Sequence, residues 1–514
     1  MISKKMHKTL IAALLGTVLM AAGCGGGGGQ AGTAPTGTAA KSVINIGLKA
    51  DPPSLDPNRS TALVDRMVHN SIYDKLFDLD ASGKIVPMLA TSYEVSADGK
   101  TYTLKLREGV KFHDGTDFNA EAVKFNFERN AKDEKSKRRG ELKYVESVTV
   151  VDPTTVKIQL KQPFAPFISI LTDRSGMMVS PAAVKQYGED YLNHPVGTGP
   201  YVFVEHVKGD HVTLKKNENY WNGPVKTEEL NFKVFTNGTA KVQNLRSGML
   251  DIIDEVPVKE IPAIQGDSNL TLVAEPGMGY QGIYLNHSKP PFDNQYLRMA
   301  VDRAIDREAV VKVLFNGYAL PGNSPFAPGS LAYGDSDKPK KPDAAEIKEL
   351  LAKGGKPNGF TFKMQISTSP ENEQFGAVIQ NMLKQYNINV ELEKLEFGTM
   401  IENGDNGNFE ALQLGWSGRP DPDQNFYDFV VTDMPNNDGR ISIPTLDELA
   451  AKARTELDET KRKAYYDEAM KIMHDQAAYS YIYHQYNLFA MSKKISGFTY
   501  VADGIIRTAT LQKQ

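Results

Sequence analysis

The length of the chain beyond its N-terminal segment is the feature that most limits the folds available to it. Of the 514 residues, roughly 470 follow the first forty, which is more than one hydrophobic core usually organises. After the N-terminus, no apolar stretch is long enough to span a bilayer. The sequence therefore predicts two or three lobes of a globular protein, each with its own core.

The N-terminus has the pattern of an export signal. Three lysines precede an apolar run at residues 9–20, and small residues then lead to Cys24. We interpret residues 1–23 as a lipoprotein signal peptide and residues 24–41, rich in Gly and Ala, as a flexible tether. Cys24 is the only cysteine, so the exported protein is expected to lack a disulfide and to carry lipid on this thiol. The alternative is a cysteine left over in an ordinary signal peptide.

Charge and motifs argue against several function classes. The formal net charge of −4, with acidic and basic residues interspersed, gives no footprint for nucleic acid. The nine histidines are scattered, and neither a His-Glu-x-x-His nor a Gly-x-Ser-x-Gly motif occurs. We therefore expect no enzyme activity, no metal and no cofactor. An exported hydrolase or a chaperone-like surface lipoprotein remains the alternative.

Apolar residues alternate between the period of a strand and that of a helix. These patterns predict both strands and helices along the chain. The predicted strands are 42–48, the hairpins 93–95 with 102–106 and 148–151 with 155–160, the buried run 409–416 and the extended segment 479–491; the predicted helices are 119–129, 297–314 with a new N-cap near Asp306, a helix behind a capping box of Thr445 and Glu448, and a helix around 465–473.

An ordered series of motifs runs along the chain. The motifs are DPPSLDP at 51–57, IYDKLFDLD at 72–80, the run at 88–129, HPVGTGPY at 194–201, NENYW at 217–221, GYQGIYLN at 279–286 and LRMAVDRAIDREAV at 297–310. This series resembles that of the extracellular solute-binding proteins of family 5, the binding components of peptide and nickel ABC importers. The resemblance covers essentially all of residues 42–514.

This resemblance implies an α/β, class II periplasmic-binding-protein fold, with two lobes joined by a hinge and an extra domain inserted in the first lobe. The implied parts are lobe 1 at 42–75, the inserted domain at 76–193, lobe 1 again at 194–284, lobe 2 at 285–485 and the C-terminal part of lobe 1 at 486–514. The protein would capture a peptide or a small carboxylate-bearing solute in the interlobe cleft and deliver it to a membrane permease and its ATPase. We expect a lipid-anchored monomer in the cell envelope, facing the periplasm or exterior.

The loop from Trp416 to Asp423, WSGRPDPD, is the predicted ligand loop, because loops at strand ends in α/β proteins are where ligands bind. Trp416 is either a pocket wall or a core residue. In the dipeptide- and oligopeptide-binding relatives, an aspartate three residues after this Trp pairs with the α-amino group of the peptide, whereas Arg419 stands here. Asp421 either contacts a ligand amine or caps its turn, and Asp423 is expected to be solvated.

Two further residues complete the predicted site. Arg174 lies in a turn that comes close to the cleft in relatives, where it either binds ligand or pairs with Asp173. Together with Arg419 it would form an anion clamp. Tyr280 is proposed as a second aromatic wall, with a core role as the alternative. The ligand is therefore either a peptide with a free amine or an anionic solute, and the sequence has no evident nickel site.

Overall fold

The computed structural model describes residues 42–514. The predicted signal peptide, Cys24 and the tether lie outside the described residues. The strands are β1 Val43–Leu48, β2 Phe77–Leu79, β3 Ile85–Pro87, β4 Ala90–Val95, β5 Thr101–Leu106, β6 Val145–Asp152, β7 Thr155–Leu160, β8 Tyr201–Val207, β9 His211–Lys216, β10 Glu229–Val234, β11 Ile252–Ile253, β12 Leu270–Pro276, β13 Tyr280–Leu285, β14 Ala319–Pro321, β15 Phe360–Ser367, β16 Ile388–Leu395, β17 Ala411–Trp416, β18 Ser480–Ser492, β19 Ile495–Ser496 and β20 Gln512–Lys513.

Helices alternate with these strands, as α/β architecture requires. They are α1 Leu63–Ile72, α2 Ala120–Lys132, α3 Phe167–Ile170, α4 Pro181–Tyr187, α5 Gly238–Arg246, α6 Ile261–Gln265, α7 Gln295–Arg303, α8 Arg307–Phe315, α9 Ala344–Lys353, α10 Pro370–Lys384, α11 Phe397–Asn406, α12 Asp423–Val430, α13 Pro444–Thr455 and α14 Glu459–Gln476.

Two sheets of mixed direction form the frame. In the first, β1 runs parallel to β10 and β11, and β9 and β8 continue antiparallel beyond β10. In the second, β15 runs parallel to β16 and β17, while β13 pairs antiparallel with β17. Separate hydrophobic cores pack against them, one around Ile46 and Phe232 and others around Met364 and Phe426. Parallel strands with apolar runs on both faces are the reason for these buried layers.

One strand belongs to both sheets. The first part of β18 pairs with β13 and β14, and its second part pairs with β12 and β11. The chain also passes between the sheets at residues 277–279, which connect β12 to β13. Two chain segments therefore join the two halves, which is the arrangement of a two-lobed binding protein with a two-strand hinge. The predicted fold class is confirmed.

A further core lies between β1 and β8 in the sequence. The hairpins β4–β5 and β6–β7 form a four-stranded sheet, and α2 packs on it around Val123 and Phe127. This is the region predicted as an inserted domain. The residue boundaries given above for each part stay predictions.

Most predicted elements appear within a few residues. Asn119 and Asp306 cap α2 and α8 through their side chains, because each accepts a hydrogen bond from a backbone N–H in the first turn. The capping box of Thr445 and Glu448 is wrong. Its helix begins one residue earlier at Pro444, and Ile443 at the N-cap offers no side-chain acceptor. Within residues 42–514, no helix has the length and apolar character needed to cross a bilayer.

A buried carboxyl group at the end of the second sheet provides a test of this packing. Asp438 is 7% exposed and lies against Gly404 of α11. Burial first, and then the like charge of Asp405, raise the pKa of Asp438 to about 7. Because the folded pKa lies above the unfolded value of about 3.9, the free energy of unfolding falls as pH rises from about 4 to about 7.

We predict that Asp438→Asn raises the melting temperature at pH 8 clearly more than at pH 4.5, because the amide removes a charge that the folded state disfavours. Thermal unfolding of both proteins at the two pH values measures this difference. Asp405→Asn is the matched control, since it removes only the repulsion and should give a smaller gain at pH 8. An equal shift at both pH values would mean that the charge of Asp438 is not the cause.

Candidate ligand-binding site

The predicted ligand loop connects β17, which ends at Trp416, to α12, which begins at Asp423. Gly418 within it has a φ of 80°, and a Cβ there would lie 2.3 Å from backbone atoms of Met278. Only glycine fits this left-handed conformation and close approach. The loop is thereby held against residues 277–279, the segment through which the chain passes between the two sheets.

Asn425 fixes the shape of the loop. Its side-chain oxygen accepts hydrogen bonds from Trp416 Nε1 at 3.2 Å and from the backbone N–H of Arg419 at 2.7 Å. Its amide nitrogen donates to the carbonyl oxygen of Arg419 at 2.7 Å. One buried amide thus sets the positions of both residues that the sequence proposed for ligand contact.

The indole of Trp416 lies between the aromatic core and Arg419. Its ring centroid is 5.1 Å from that of Phe429, and the guanidinium carbon of Arg419 stands 4.6 Å from the indole centroid. Such a cation–π contact holds the arginine over the ring. Trp416 is half-buried and therefore acts as a platform for Arg419 at the border of the core.

Arg419 reaches from the second half of the molecule to the inserted region. Its Nε lies 3.6 Å from Oδ2 of Asp173, and one terminal nitrogen donates to the carbonyl oxygen of Gly418 at 2.6 Å. Burial first, and then the neighbouring Arg66, lower the pKa of Arg419 to about 9, so the group keeps its charge at neutral pH.

Asp173 is the centre of this cluster. Arg66 Nε donates to its Oδ1 at 3.0 Å, and Arg174 Nε lies 3.7 Å from the same oxygen. Burial alone would raise the pKa of the Asp173 carboxyl, but the cations of Arg66, Arg174 and Arg419 hold it well below its usual range. The carboxylate is therefore ionised at neutral pH and links its neighbour Arg174 to Arg66 and Arg419, which come from distant parts of the chain.

Arg174 does pair with Asp173, which was one of its two predicted roles. A terminal nitrogen also donates to the carbonyl oxygen and to the hydroxyl of Ser60, both at 3.2 Å. Arg138 donates to the same Ser60 carbonyl at 3.0 Å. Arg174 and Arg419 thus converge on one carboxylate, as an anion clamp requires, and their contact with ligand stays a prediction.

The cluster carries an excess of positive charge. Its guanidinium groups outnumber its carboxyl groups, so the net charge stays positive even when every carboxyl group is ionised. The guanidinium groups are those of Arg66, Arg138, Arg174 and Arg419, and the carboxyl groups are those of Asp65, Glu141 and Asp173. His69 adds no charge, because burial first and Arg174 second lower its pKa to about 3. An unbalanced buried cation favours an anionic ligand.

Asp421 caps its turn and is already paired. Both of its oxygens accept from Arg462, at 2.6 and 2.7 Å, and one accepts the backbone N–H of Asp423 at 2.9 Å. The capping alternative therefore describes this residue. The expectation that Asp423 is solvated is wrong, because this residue is 2% exposed. Its two carboxylate oxygens accept hydrogen bonds from Nε and from one terminal nitrogen of Arg454, each at 2.8 Å.

Tyr280 has the contacts of a core residue. It is 2% exposed, and its ring meets Phe429, Tyr479 and Tyr481 edge-on at 6.3, 5.8 and 5.1 Å. It lies opposite Trp416 in the β13–β17 pair, directly beneath the loop. Its role as a ligand wall stays a prediction.

Arg66 and Arg138 were not found by sequence reasoning. Arg66 lies on α1, a helix whose residues are nearly all buried. A charged residue in a helix indicates a binding site only when the residue is known to be buried. The sequence LVDRMVHNSI has charged residues that could equally face solvent. The contact between Arg66 and Asp173 could not be predicted either, because the two residues are 107 positions apart in the sequence.

A two-lobed α/β protein with a charged cluster where its halves meet belongs to the class of extracytoplasmic binding proteins. The model of the family described as bacterial extracellular solute-binding proteins, family 5 Middle, matches residues 84–438. The glutathione-binding protein GsiB of Pectobacterium atrosepticum is 33% identical over 486 residues, covering 91% of this chain and 93% of the relative. The chain belongs to this family of solute-binding proteins.

Solved structures agree in fold. The periplasmic binding protein DppA of Helicobacter pylori, in complex with the peptide STSA, superposes with a TM-score of 0.80 at 26% identity, covering 92% of this chain and 98% of that one. AgaA of A. tumefaciens R10, in complex with agropinic acid, has a TM-score of 0.80 at 26% identity, covering 92% and 99%.

Family membership settles the choice between binding and catalysis. The protein is the solute-binding component of an ABC importer and acts outside the cytoplasmic membrane, and the hydrolase and chaperone alternatives are set aside.

The pair of Asp421 and Arg462 is tested by removing one partner and then both. Arg462→Met leaves a carboxylate unpaired at a site that is 10% exposed, and we predict a loss of about 3–5 kcal/mol in the free energy of unfolding. The double variant Asp421→Asn, Arg462→Met should recover most of this loss, because no buried charge remains unpaired. Urea unfolding of the parent, of the single variants Arg462→Met and Asp421→Asn and of the double variant measures the coupling. Equal losses in Arg462→Met and in the double variant would show that Arg462 acts by packing alone.

Proposed function

We propose that this protein captures a net anionic, carboxylate-bearing solute between its lobes, and that Arg419 binds an anionic group of this solute. The observation that carries this proposal is the surplus of guanidinium groups over carboxyl groups around Asp173, where the two halves of the molecule meet. A protein does not ordinarily bury unbalanced cations without a partner, because burial of an unpaired charge costs several kcal/mol.

The nearby carboxylates argue against a ligand whose main recognition group is a free amine. Asp421 is held by Arg462, Asp423 by Arg454, and Asp173 by three arginines. In the peptide-binding relatives an aspartate takes the position of Arg419. An ammonium group brought to this position would meet a like charge instead of its counterion.

The relatives suggest the chemical class of the ligand. GsiB is named for glutathione, and AgaA was solved with agropinic acid; both compounds carry carboxylates. Glutathione is a tripeptide with two carboxylates and one amine, so its anionic groups outnumber its cationic group. We propose peptides of this type as the first candidates, with other small carboxylates as the second group to test.

Contacts between the inserted region and the second half support capture by closure. The backbone N–H of Ala165 donates to the carbonyl oxygen of Arg454 at 3.0 Å, and the guanidinium carbon of Arg454 lies 5.7 Å from the ring of Phe164. Ser169 Oγ donates to Gln424 at 3.4 Å. These contacts join the same two parts of the molecule as the contact of Arg419 with Asp173, and their separation would open a path for a solute, so we propose that ligand binding and hinge closure are coupled.

We propose that lipid on Cys24 holds the protein at the membrane surface. A monomer tethered by residues 24–41 would reach a permease and its ATPase without leaving the membrane surface. The pattern of residues 1–24 carries this proposal.

We predict that Cys24→Ala abolishes membrane partitioning after processing and leaves folding unchanged, because only the acyl attachment is lost. Detergent phase separation of the two proteins from the same host measures this. A version beginning at Lys41 should bind ligand as tightly as the full chain, which serves as the control for folding. Membrane partitioning of Cys24→Ala equal to that of the parent would contradict the anchor.

We predict that Arg419→Ala weakens binding of the solute by about 2–5 kcal/mol and that Arg419→Asp abolishes it, because a charge in a partly buried site is lost or reversed. Arg419→Lys should lie between, since a point charge replaces a planar fork. Calorimetry with glutathione, agropinic acid and neutral dipeptides measures the affinities, after mass spectrometry of solutes that co-purify with the protein.

Arg246→Ala is the matched control, because Arg246 is an exposed arginine on α5, in the first half of the molecule, and it forms an ion pair with Asp267. It should bind as the parent does. If Arg419→Ala keeps the affinity of the parent, or if neutral peptides bind more tightly than the carboxylate-rich solutes, the proposed anionic ligand is wrong.

A further inference from the structure

Arg66 contacts Asp173 in an unusual way. An arginine and a carboxylate commonly form two parallel hydrogen bonds through the ends of the guanidinium fork. Arg66 uses only Nε, which donates to Asp173 Oδ1 at 3.0 Å. Neither terminal nitrogen of Arg66 has a hydrogen-bond partner among residues 42–514, although the side chain is only 9% exposed.

The neighbouring arginines differ in this respect. Arg138 and Arg174 both donate terminal nitrogens to the carbonyl oxygen of Ser60, and Arg138 also pairs with Glu141. Their Nε atoms are fully enclosed and have no hydrogen-bond partner in the described residues, although Arg174 Nε lies 3.7 Å from Asp173 Oδ1. The terminal nitrogens of Arg66 are not enclosed in this way. Arg138 therefore uses both of its terminal nitrogens within the protein and Arg174 uses one, whereas both terminal nitrogens of Arg66 are available to a group from outside.

Arg419 presents a donor from the opposite side. It approaches Oδ2 of Asp173, the other oxygen of the carboxylate that Arg66 binds. One of its terminal nitrogens is bound to Ser417 and Gly418, and the second has no hydrogen-bond partner in the described part of the chain. Arg66 belongs to α1, which packs with the first sheet, and Arg419 follows β17 of the second sheet.

We propose that Arg66 is a ligand-contacting residue that determines specificity. Its free terminal nitrogens and the free nitrogen of Arg419 hold one carboxylate of the solute from the two lobes, next to Asp173. This inference rests on the proposed function and deepens it, because it makes the carboxylate of the solute a bridge between the lobes. A solute without that carboxylate would leave the guanidinium groups of Arg66 and Arg419 without a shared anion between the lobes.

The experiment pairs changes in the protein with changes in the ligand. The probes are glutathione and its two monoethyl esters, each lacking one carboxylate charge, and the proteins are the parent, Arg66→Gln, Arg66→Lys and the exposed control Arg246→Gln. Arg66→Gln should weaken glutathione binding roughly 30-fold or more, which equals about 2 kcal/mol at 25 °C. One ester should lose a similar factor with the parent. Arg66→Gln should bind that ester as tightly as glutathione, because the contact is already absent.

Closure gives a second readout. Small-angle scattering should show that glutathione compacts the parent and Arg246→Gln, and that saturating glutathione compacts Arg66→Gln less. If Arg66→Gln does not fold, Arg66→Lys decides, because it keeps a charge near Asp173 and loses the fork. It should then discriminate the acid from the ester less than the parent does.

The outcomes separate the two proposals. If the parent binds glutathione and Arg66→Gln binds it equally tightly, Arg66 does not touch the ligand, and the proposed anionic ligand stands. If the loss in Arg66→Gln is the same for glutathione and for both esters, Arg66 acts only by positioning Asp173, and the inference is overturned. If the parent binds neither glutathione nor any other carboxylate tested, the proposed function itself fails.

Discussion

The carboxylate of Asp173 is the interaction on which the arrangement of the site depends. It lies in the inserted region and meets Arg66 from α1, its neighbour Arg174, and Arg419 from the loop after β17. Each of these groups alone would be costly to bury, and the ionised carboxylate makes their shared burial possible. Because Arg419 comes from the other half of the molecule, the same carboxylate also joins the two halves across the place where a solute would bind.

The surplus of positive charge that remains explains how a solute could drive closure. In a site of low dielectric, an anionic group between Arg66 and Arg419 is attracted from both sides, so its binding free energy favours the closed arrangement over the open one. The hinge is suited to such a change. Two chain segments connect the halves, and one of them, β18, hydrogen-bonds to both sheets.

Local structure was largely readable from the sequence, because it depends on near neighbours. The hairpins, the break at Asp306 and the strand before the ligand loop follow from apolar period and capping chemistry. The exception at Thr445 has a local cause as well, since a proline at the start of the helix placed Ile443 at the N-cap. The resemblance to a known family predicted the fold, and the replacement of aspartate by Arg419 indicated a change in ligand charge.

Partners of charged residues could not be read in this way, because their distance in sequence carries no information about their distance in space. Asp421 and Asp423 look alike in the loop, yet Arg462 and Arg454 of later helices form ion pairs with both carboxylates. Arg66 gave no signal on its helix. The sequence by itself determined the elements, the family and the identity of the loop arginine. Only the tertiary structure decided which carboxylates are neutralised and which guanidinium nitrogens stay free, because long-range packing brings those groups together.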